Sequence, residues 1–316
     1  MNKSVRHQFR AYDTDVELCL VTDDEPLSAA IVKQIERAAV DFEKRFSRFD
    51  TASELSQINA GAGRRVAISP EMMEVLCLAR EAFRISDGVF DPTIGAVLSE
   101  SGYDNSFALL TGSRETPDTA AGGVRTDVES YSFHDVLIDE HNMTVEVPAG
   151  VSIDLGGIAK GFWVDQMKNL LDKYFENYWI GAGGDFFFRG LDEMGEPWQV
   201  TIQNPLMLGE NILSLNVPAD GCGVATSGIT KRQGIHHGKK WNHLIDTRTN
   251  ARVKNSVLAV TVLAGSTADA DVLAKTVLIL GVRRGLAFIR KIEKAECVII
   301  DRNLKMHISA GIKKFL

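Results

Sequence analysis

Residues 152–166 read SIDLGGIAKGFWVDQ, a turn with paired glycines that feeds straight into a helix expected from Ile158 to about Tyr174. The first backbone N–H groups of a helix lack internal partners, and the helix dipole adds partial positive charge there. A phosphate or pyrophosphate is a natural occupant of such a turn, with Lys160 as an added cation. The spacing is neither that of a P-loop nor that of the dinucleotide fingerprint. Equally, Gly156 and Gly157 could serve only to turn a strand tightly into a packed helix, and spacing alone leaves both readings open.

Working outward, a strand over Asp15–Val21 places Val16, Leu18 and Leu20 on one face. A helix follows from Ser28 to Phe46, with Ile31, Ile35, Ala38, Phe42 and Phe46 as its buried stripe. The stretch 47–65 reads as a polar loop. Ser69-Pro70 opens a second helix that Asp87-Gly88 closes. Residues Thr111–Arg125 read as an exposed insertion loop, and Asp135–Glu140 with Met143–Val147 as a hairpin. After the 152–166 turn, short strands dominate: Asn177–Gly181, Phe186–Gly190, Trp198–Gln203, Asn211–Val217 and Ser256–Leu263. A last helix runs from Ser266-Thr267 to Leu280, and a hairpin of Cys297–Asp301 and Lys305–Ser309 closes the chain. Strands and helices interleave without strict βαβ alternation. The expected class is α+β with mixed sheets, and the length allows one large domain or two intimately packed lobes.

Composition excludes several function classes. The 35 basic and 42 acidic residues leave a net charge of -7, which argues against a broad nucleic-acid footprint. Cys19, Cys77, Cys222 and Cys297 are scattered and read as buried small apolar residues, not as a zinc site or disulfide framework. The opening MNKSVRHQFRAYDTDVELCLV has no apolar run suited to a signal peptide, and no later stretch approaches the ~20 apolar residues of a membrane span. A soluble, cytoplasmic protein is expected.

Several further segments could carry chemistry. Gly181-Ala182-Gly183-Gly184-Asp185 suits a hairpin turn more readily than a ligand site. Residues 221–228, with Thr226 and Ser227, read as a small-residue loop able to admit a flat ligand or to serve as a plain turn. His243 precedes Leu244-Ile245-Asp246, and a short strand there would set His243 and Ile245 on one face, with a carboxylate nearby. Asp269 and Asp271 open the last helix, where carboxylates suit the dipole. Asp271 and Lys275 are spaced for a surface ion pair of ~0.3–0.5 kcal/mol.

Taken in order, the segments SRFDTASELSQINAG (47–61), GVFDPTIGAV (88–97), SIDLGGIAKGFWVDQ (152–166), IGAGGDFFFRG (180–190), PWQVTIQNP (197–205), GVATSG (223–228), NHLIDTRTNARV (242–253) and TADADVLAKTVLILG (267–281) resemble the ApbE family of FAD:protein FMN transferases. The resemblance implies a single α+β unit over residues 1–316, with two intimately associated lobes and FAD in the cleft between them. It also implies Mg²⁺-dependent transfer of FMN from FAD to a Thr or Ser hydroxyl of an acceptor flavoprotein, with AMP released. Phe49 would lie beside the adenine, and Asp91, Pro92 and Thr93 would contact the nucleotide. Tyr12, Asp154, Gly157, Lys160, Gly184, Asp185, Thr226, Ser227 and Ile245 would complete the FAD site. His243 would be the base; Asp271 and the Gly157 backbone would hold Mg²⁺.

The chain departs from the family pattern in three places. Tyr12-Asp13-Thr14 stands where Met-Gly-Thr is usual, and Asp246-Thr247 where Asp-Pro is usual. Lys275 replaces a hydroxyl ligand expected four residues after Asp271, and an ammonium cannot ligate a metal. Three outcomes follow: a working transferase, an FAD-binding homologue in which Lys275 fills the metal position, or an FAD pyrophosphatase giving FMN and AMP.

Overall fold

The computed structural model describes residues 3–95, 131–207, 209–230, 233–236, 239–242, 245–246, 251–253 and 255–316, with no side-chain description over 231–252. The expected insertion loop Thr111–Arg125 and the base His243 lie outside the described residues. The chain divides into two compact units. One comprises residues 1–43, 156–230 and 255–316, the other 44–155 and 231–254. The boundary falls between Leu155 and Gly156, inside the turn that feeds the third expected helix.

The first unit is built on an eight-stranded sheet in the order β1-β2-β6-β7-β10-β15-β16-β17. These strands are β1 (Ser4–Ala11), β2 (Thr14–Val21), β6 (Tyr178–Ala182), β7 (Asp185–Arg189), β10 (Cys222–Gly228), β15 (Val257–Ala264), β16 (Glu296–Asp301) and β17 (Met306–Ile308). Every neighbouring pair is antiparallel. Strand alternation sends Val16, Leu18 and Leu20 to a core shared with Ile31 and Ile35 of α1 (Glu25–Phe46) and Trp163, Val164 and Leu171 of α4 (Ala159–Leu171). Cys19 between them points to the opposite face, with Phe188, Val224 and Val298. There the hairpin of β8 (Gln199–Gln203) and β9 (Asn211–Asn216) contributes Ile202 and Leu215. All eight residues of β15 are buried, as a central strand covered on both faces must be.

Helix α5 (Thr267–Ile289) lies against β10 and β15. The expected stop at Leu280 coincides with a break, since Gly281 takes φ 76 and ψ 175, but the chain then resumes helical geometry to Ile289. Two close approaches seat the start of α5. A Cβ at Gly223 would come 2.3 Å from the Ser266 carbonyl carbon, and one at Gly161 would come 2.7 Å from Ala268 Cα. Only glycine permits backbone contact of that kind.

The second unit holds α2 (Glu54–Ala60), α3 (Pro70–Ile85) and the small antiparallel sheet β3-β5-β4 of Arg65–Ala67, Thr144–Glu146 and Leu137–Asp139. Ser53 and Ser69 cap the two helices, each accepting a backbone N–H three residues on. Four short strands, β11 (Gln233–His236) with β12 (Lys239–Asn242) and β13 (Ile245–Asp246) with β14 (Ala251–Arg252), form two further antiparallel ribbons. No described helix is long and apolar enough to cross a membrane.

Three expectations change. Residues 54–60, read as loop, form a helix. Residues 222–228, read as loop, form a core strand. The cysteines are free, and Cys77 is half-buried where the other three are buried.

Candidate functional site

In the second unit the nucleotide-contact candidates converge on residues 152–154. Asp154 donates its N–H to the Pro92 carbonyl at 2.8 Å, and Gly95 donates to the Ser152 carbonyl at 3.0 Å. A parallel bridge joins Ile94 to Ser152. The segment 91–95 is thereby laid alongside the strand that leads into the glycine turn. Asn59 fixes that strand from α2: its Nδ2 donates to the Ile153 carbonyl at 2.9 Å and its Oδ1 accepts from Ile153 N at 2.8 Å.

Asp91 is buried and accepts from Thr93 N at 2.9 Å and Thr93 Oγ1 at 2.6 Å. Burial pushes its carboxyl upward, while the Thr93 hydroxyl and amide pull it back. Arg48 ion-pairs with Asp154 at 3.0 Å, with both side chains largely enclosed. The same guanidinium sits 4.7 Å over the ring of Phe49, whose ring is exposed. Phe49, Asp91, Pro92, Thr93 and Asp154 thus share one neighbourhood. Arg48 and Asn59 belong to it and are missed by sequence reading; their only signal is adjacency to Phe49 and a place on the inner face of an unrecognised short helix.

In the first unit the candidates gather where α4 and α5 begin. Asp165 accepts from Thr267 N at 2.8 Å and Ala268 N at 2.9 Å, capping α5 from outside. Desolvation pushes the Asp165 carboxyl up to about 6, the two amides and the Thr267 hydroxyl pulling the other way. One turn back along α4, Gly161 lies against Thr267 O and Ala268. Both contacts fall on the first two residues of α5, so the two helices meet there. Lys160 Nζ stands 3.9 Å from Asp185 and 3.4 Å from the Gly156 carbonyl. Asp185 starts β7, directly after a two-residue turn in which Gly183 and Gly184 take φ 64 and 99. That turn is of the kind that joins tight hairpins.

Asp271 is 2% exposed, so its expected role as half of a surface ion pair fails. It falls on the inner side of α5 with Ala270, Ala274 and Val277. Its Oδ1 pairs with Lys275 Nζ, and its Oδ2 is buried without a hydrogen-bond partner among the described residues. Thr276, one position late for the expected hydroxyl, donates instead to the Val272 carbonyl at 2.9 Å. Mg²⁺ needs near-octahedral oxygen ligation. Here the carboxylate already holds a cation, position 275 supplies no oxygen, and no group of three or more His, Cys, Asp or Glu residues suited to a metal occurs among the described residues. The residues present do not fit the Mg²⁺ site that the resemblance implies.

Two expected contacts also separate. Thr226 pairs its hydroxyl with that of Thr261 at 2.9 Å and is exposed on the side of β10 shared with Val224. Ser227 is buried on the opposite side, so strand alternation cannot bring both to one ligand. Tyr12 occupies a two-residue hairpin turn with Asp13, at φ 55 and 54. Its ring packs edge-on against Phe42 and Trp163, and its buried hydroxyl has no partner among the described residues. Tyr12 is a half-buried residue packed against the core of this unit. Ile245 lies in β13, as the strand reading expects.

Comparison with known proteins agrees with the geometry. A protein of Vibrio cholerae named FAD:protein FMN transferase is 27% identical over 299 residues, covering 92% of this chain and 85% of its own. One of the same name from Haemophilus influenzae is 27% identical over 301 residues, covering 92% and 86%. The solved structure of the flavin transferase ApbE from Vibrio cholerae superposes with a TM-score of 0.82 at 24% identity over the full length of both chains. The crystal structure of the ApbE protein from Thermotoga maritima does so at 0.86, with 24% identity and 99% of each chain covered. These two structures support the α+β fold. The ApbE family pattern matches residues 12–299, and the chain belongs to the ApbE family.

Proposed function

We propose that this protein is an FAD:protein FMN transferase acting as one domain over the matched span. The observation that carries the reading is the family match across residues 12–299, joined to relatives of that name covering 92% of the chain. The geometry is consistent with it. Within the first unit, the helix dipole at the start of α4 and the Lys160 ammonium suit a pyrophosphate; within the second, the segment 91–95 is hydrogen-bonded to the 152–154 strand.

In the proposed reaction the hydroxyl oxygen of an acceptor Thr or Ser attacks the FMN phosphorus of FAD. The bond from that phosphorus to the bridging oxygen breaks, and AMP leaves with the bridging oxygen. The hydroxyl proton passes to His243, the base that the resemblance implies. The flavin remains on the acceptor flavoprotein through a phosphoester. Asp91, held by Thr93, keeps the 91–95 segment in register with Asp154. Lys160 offsets charge on the pyrophosphate, which grows on the leaving group in the transition state.

The test is FAD titration followed by flavin fluorescence, with AMP release measured on the same samples in the presence of an acceptor flavoprotein. Saturable FAD uptake and acceptor-dependent AMP release are expected. His243→Ala should slow release by about a hundredfold or more and change FAD affinity little, since a general base acts chiefly in the transition state. Absence of FAD uptake would overturn the reading, and equal losses in both quantities would remove His243 from its role.

A further inference from the structure

We propose that Lys275 is the resident cation of the Asp271 site, so that the protein neither retains a divalent metal there nor needs one. The inference rests on the functional reading above for what the site serves, but the cation assignment stands on the side chains alone.

Asp271 is 2% exposed and lies in the second turn of α5, where a carboxylate is favoured by the helix dipole but poorly solvated. A buried carboxylate needs a counter-charge. Lys275 supplies it from one turn on, in the acid-first order that suits a helix. The lysine is not a solvated surface group that happens to reach inward, because its side chain is only 18% exposed. A divalent ion entering at Asp271 would have to displace this ammonium, and it would then face the displaced charge across a single helical turn in a poorly solvated environment. The oxygen count also falls short. Position 275 offers none, and the Thr276 hydroxyl is directed at Val272 O.

Asp271 Oδ2 is buried and has no hydrogen-bond partner among the described residues. It is a site for one hydrogen-bond donor brought by the ligand or by ordered water, not a second metal ligand in a set that lacks the rest. The consequence is a fixed single positive charge at Asp271 in place of an exchangeable double one. Another cation of the unit, Lys160, stands at the head of α4 beside Asp185, so both of these positive groups are delivered by helices.

The experiment uses Mn²⁺ as probe, read by loss of the free-ion electron paramagnetic resonance signal on the full chain, with and without FAD. Expected for the natural protein is no saturable Mn²⁺ uptake that depends on Asp271. Lys275→Thr, which restores a hydroxyl and removes the charge, should bind Mn²⁺ at least about tenfold more tightly. Adding Asp271→Ala to that variant should abolish the gain. Lys275→Met keeps the bulk without charge or oxygen donor; it should gain no Mn²⁺ binding and should melt at lower temperature, because Asp271 is left buried and unpaired. In parallel, AMP release from FAD should be unchanged by EDTA in the natural protein and become EDTA-sensitive in Lys275→Thr. Saturable Mn²⁺ binding by the natural protein that disappears in Asp271→Ala overturns the proposal. If FAD is not taken up at all, the functional reading fails, while the Mn²⁺ titration of the free protein still decides the cation question.

Discussion

The carboxylates of Asp165, from α4, and Asp271, from α5, both act at the first turns of α5, yet they are satisfied in opposite ways. Asp165 reaches across from α4 and accepts two backbone N–H groups at the helix start, where every α-helix has donors to spare. Asp271 lies within the helix, where the backbone has nothing left to donate, and takes a lysine on one oxygen and, among the described residues, nothing on the other. The first arrangement joins two helices and engages both carboxylate oxygens. The second keeps an unused acceptor inside the protein, a cost that folding alone does not repay. In the proposed function, the difference separates a carboxylate that holds the scaffold from one kept for a ligand.

Substitutions can break this contrast, and the largest effect is expected at Asp271. Asp271→Ala should lower FMN transfer by about a hundredfold or more, the scale of losing one preorganised polar group in a reacting site. Its folding stability should change by no more than about 1 kcal/mol, since Lys275 can extend its flexible stem toward solvent. Full transfer activity in the variant would make the pair merely structural. Asp165→Ala should show the reverse pattern. Two N–H groups at the start of α5 lose their acceptor, and urea denaturation should report a loss of about 2–3 kcal/mol. A loss below about 0.5 kcal/mol would mean that water caps the helix equally well.

The titration of Asp165 sharpens the contrast. Its value in the folded protein, about 6, lies above that of an ordinary carboxylate. The folded state therefore binds the proton first, and the group's contribution is favourable at low pH and lost as pH rises through about 6. Relative to Asp165→Asn, which does not titrate, the natural protein should gain about 1 kcal/mol between pH 7 and pH 5. A flat difference across that range would show that the two amides hold the carboxyl near its usual value. The smallest effect is expected at the cap itself. Ser266 accepts from Asp269 N at 3.1 Å, and Ser266→Ala should cost about 1 kcal/mol by thermal melting without altering FAD uptake.

The same contrast explains what the sequence makes legible. Long apolar stripes such as Ile31, Ile35 and Phe46 mark α1, and the Ser69-Pro70 and Ser266-Thr267 starts mark α3 and α5, because caps and periodicity are local properties. Strand β1 escapes notice because it is an edge strand whose residues are mostly exposed or half-buried, so its sequence SVRHQFRA shows little apolar alternation. Strand β10 escapes because its small residues, chosen for the approach of α5 at Gly223, look like a loop. Within the site, the spacing of Asp271 and Lys275 reveals an ion pair, but its burial depends on which face of α5 meets β10 and β15. Arg48 is invisible for a similar reason: its partner Asp154 is more than a hundred residues away in the chain.

The most direct measurement is the intact mass of an acceptor flavoprotein after incubation with FAD and this protein, with AMP quantified in the same mixture. The account predicts that the acceptor gains the mass of one FMN less water at a Thr or Ser side chain, and that AMP appears in equal amount. An acceptor of unchanged mass, with FAD intact or split into free FMN and AMP, would contradict it.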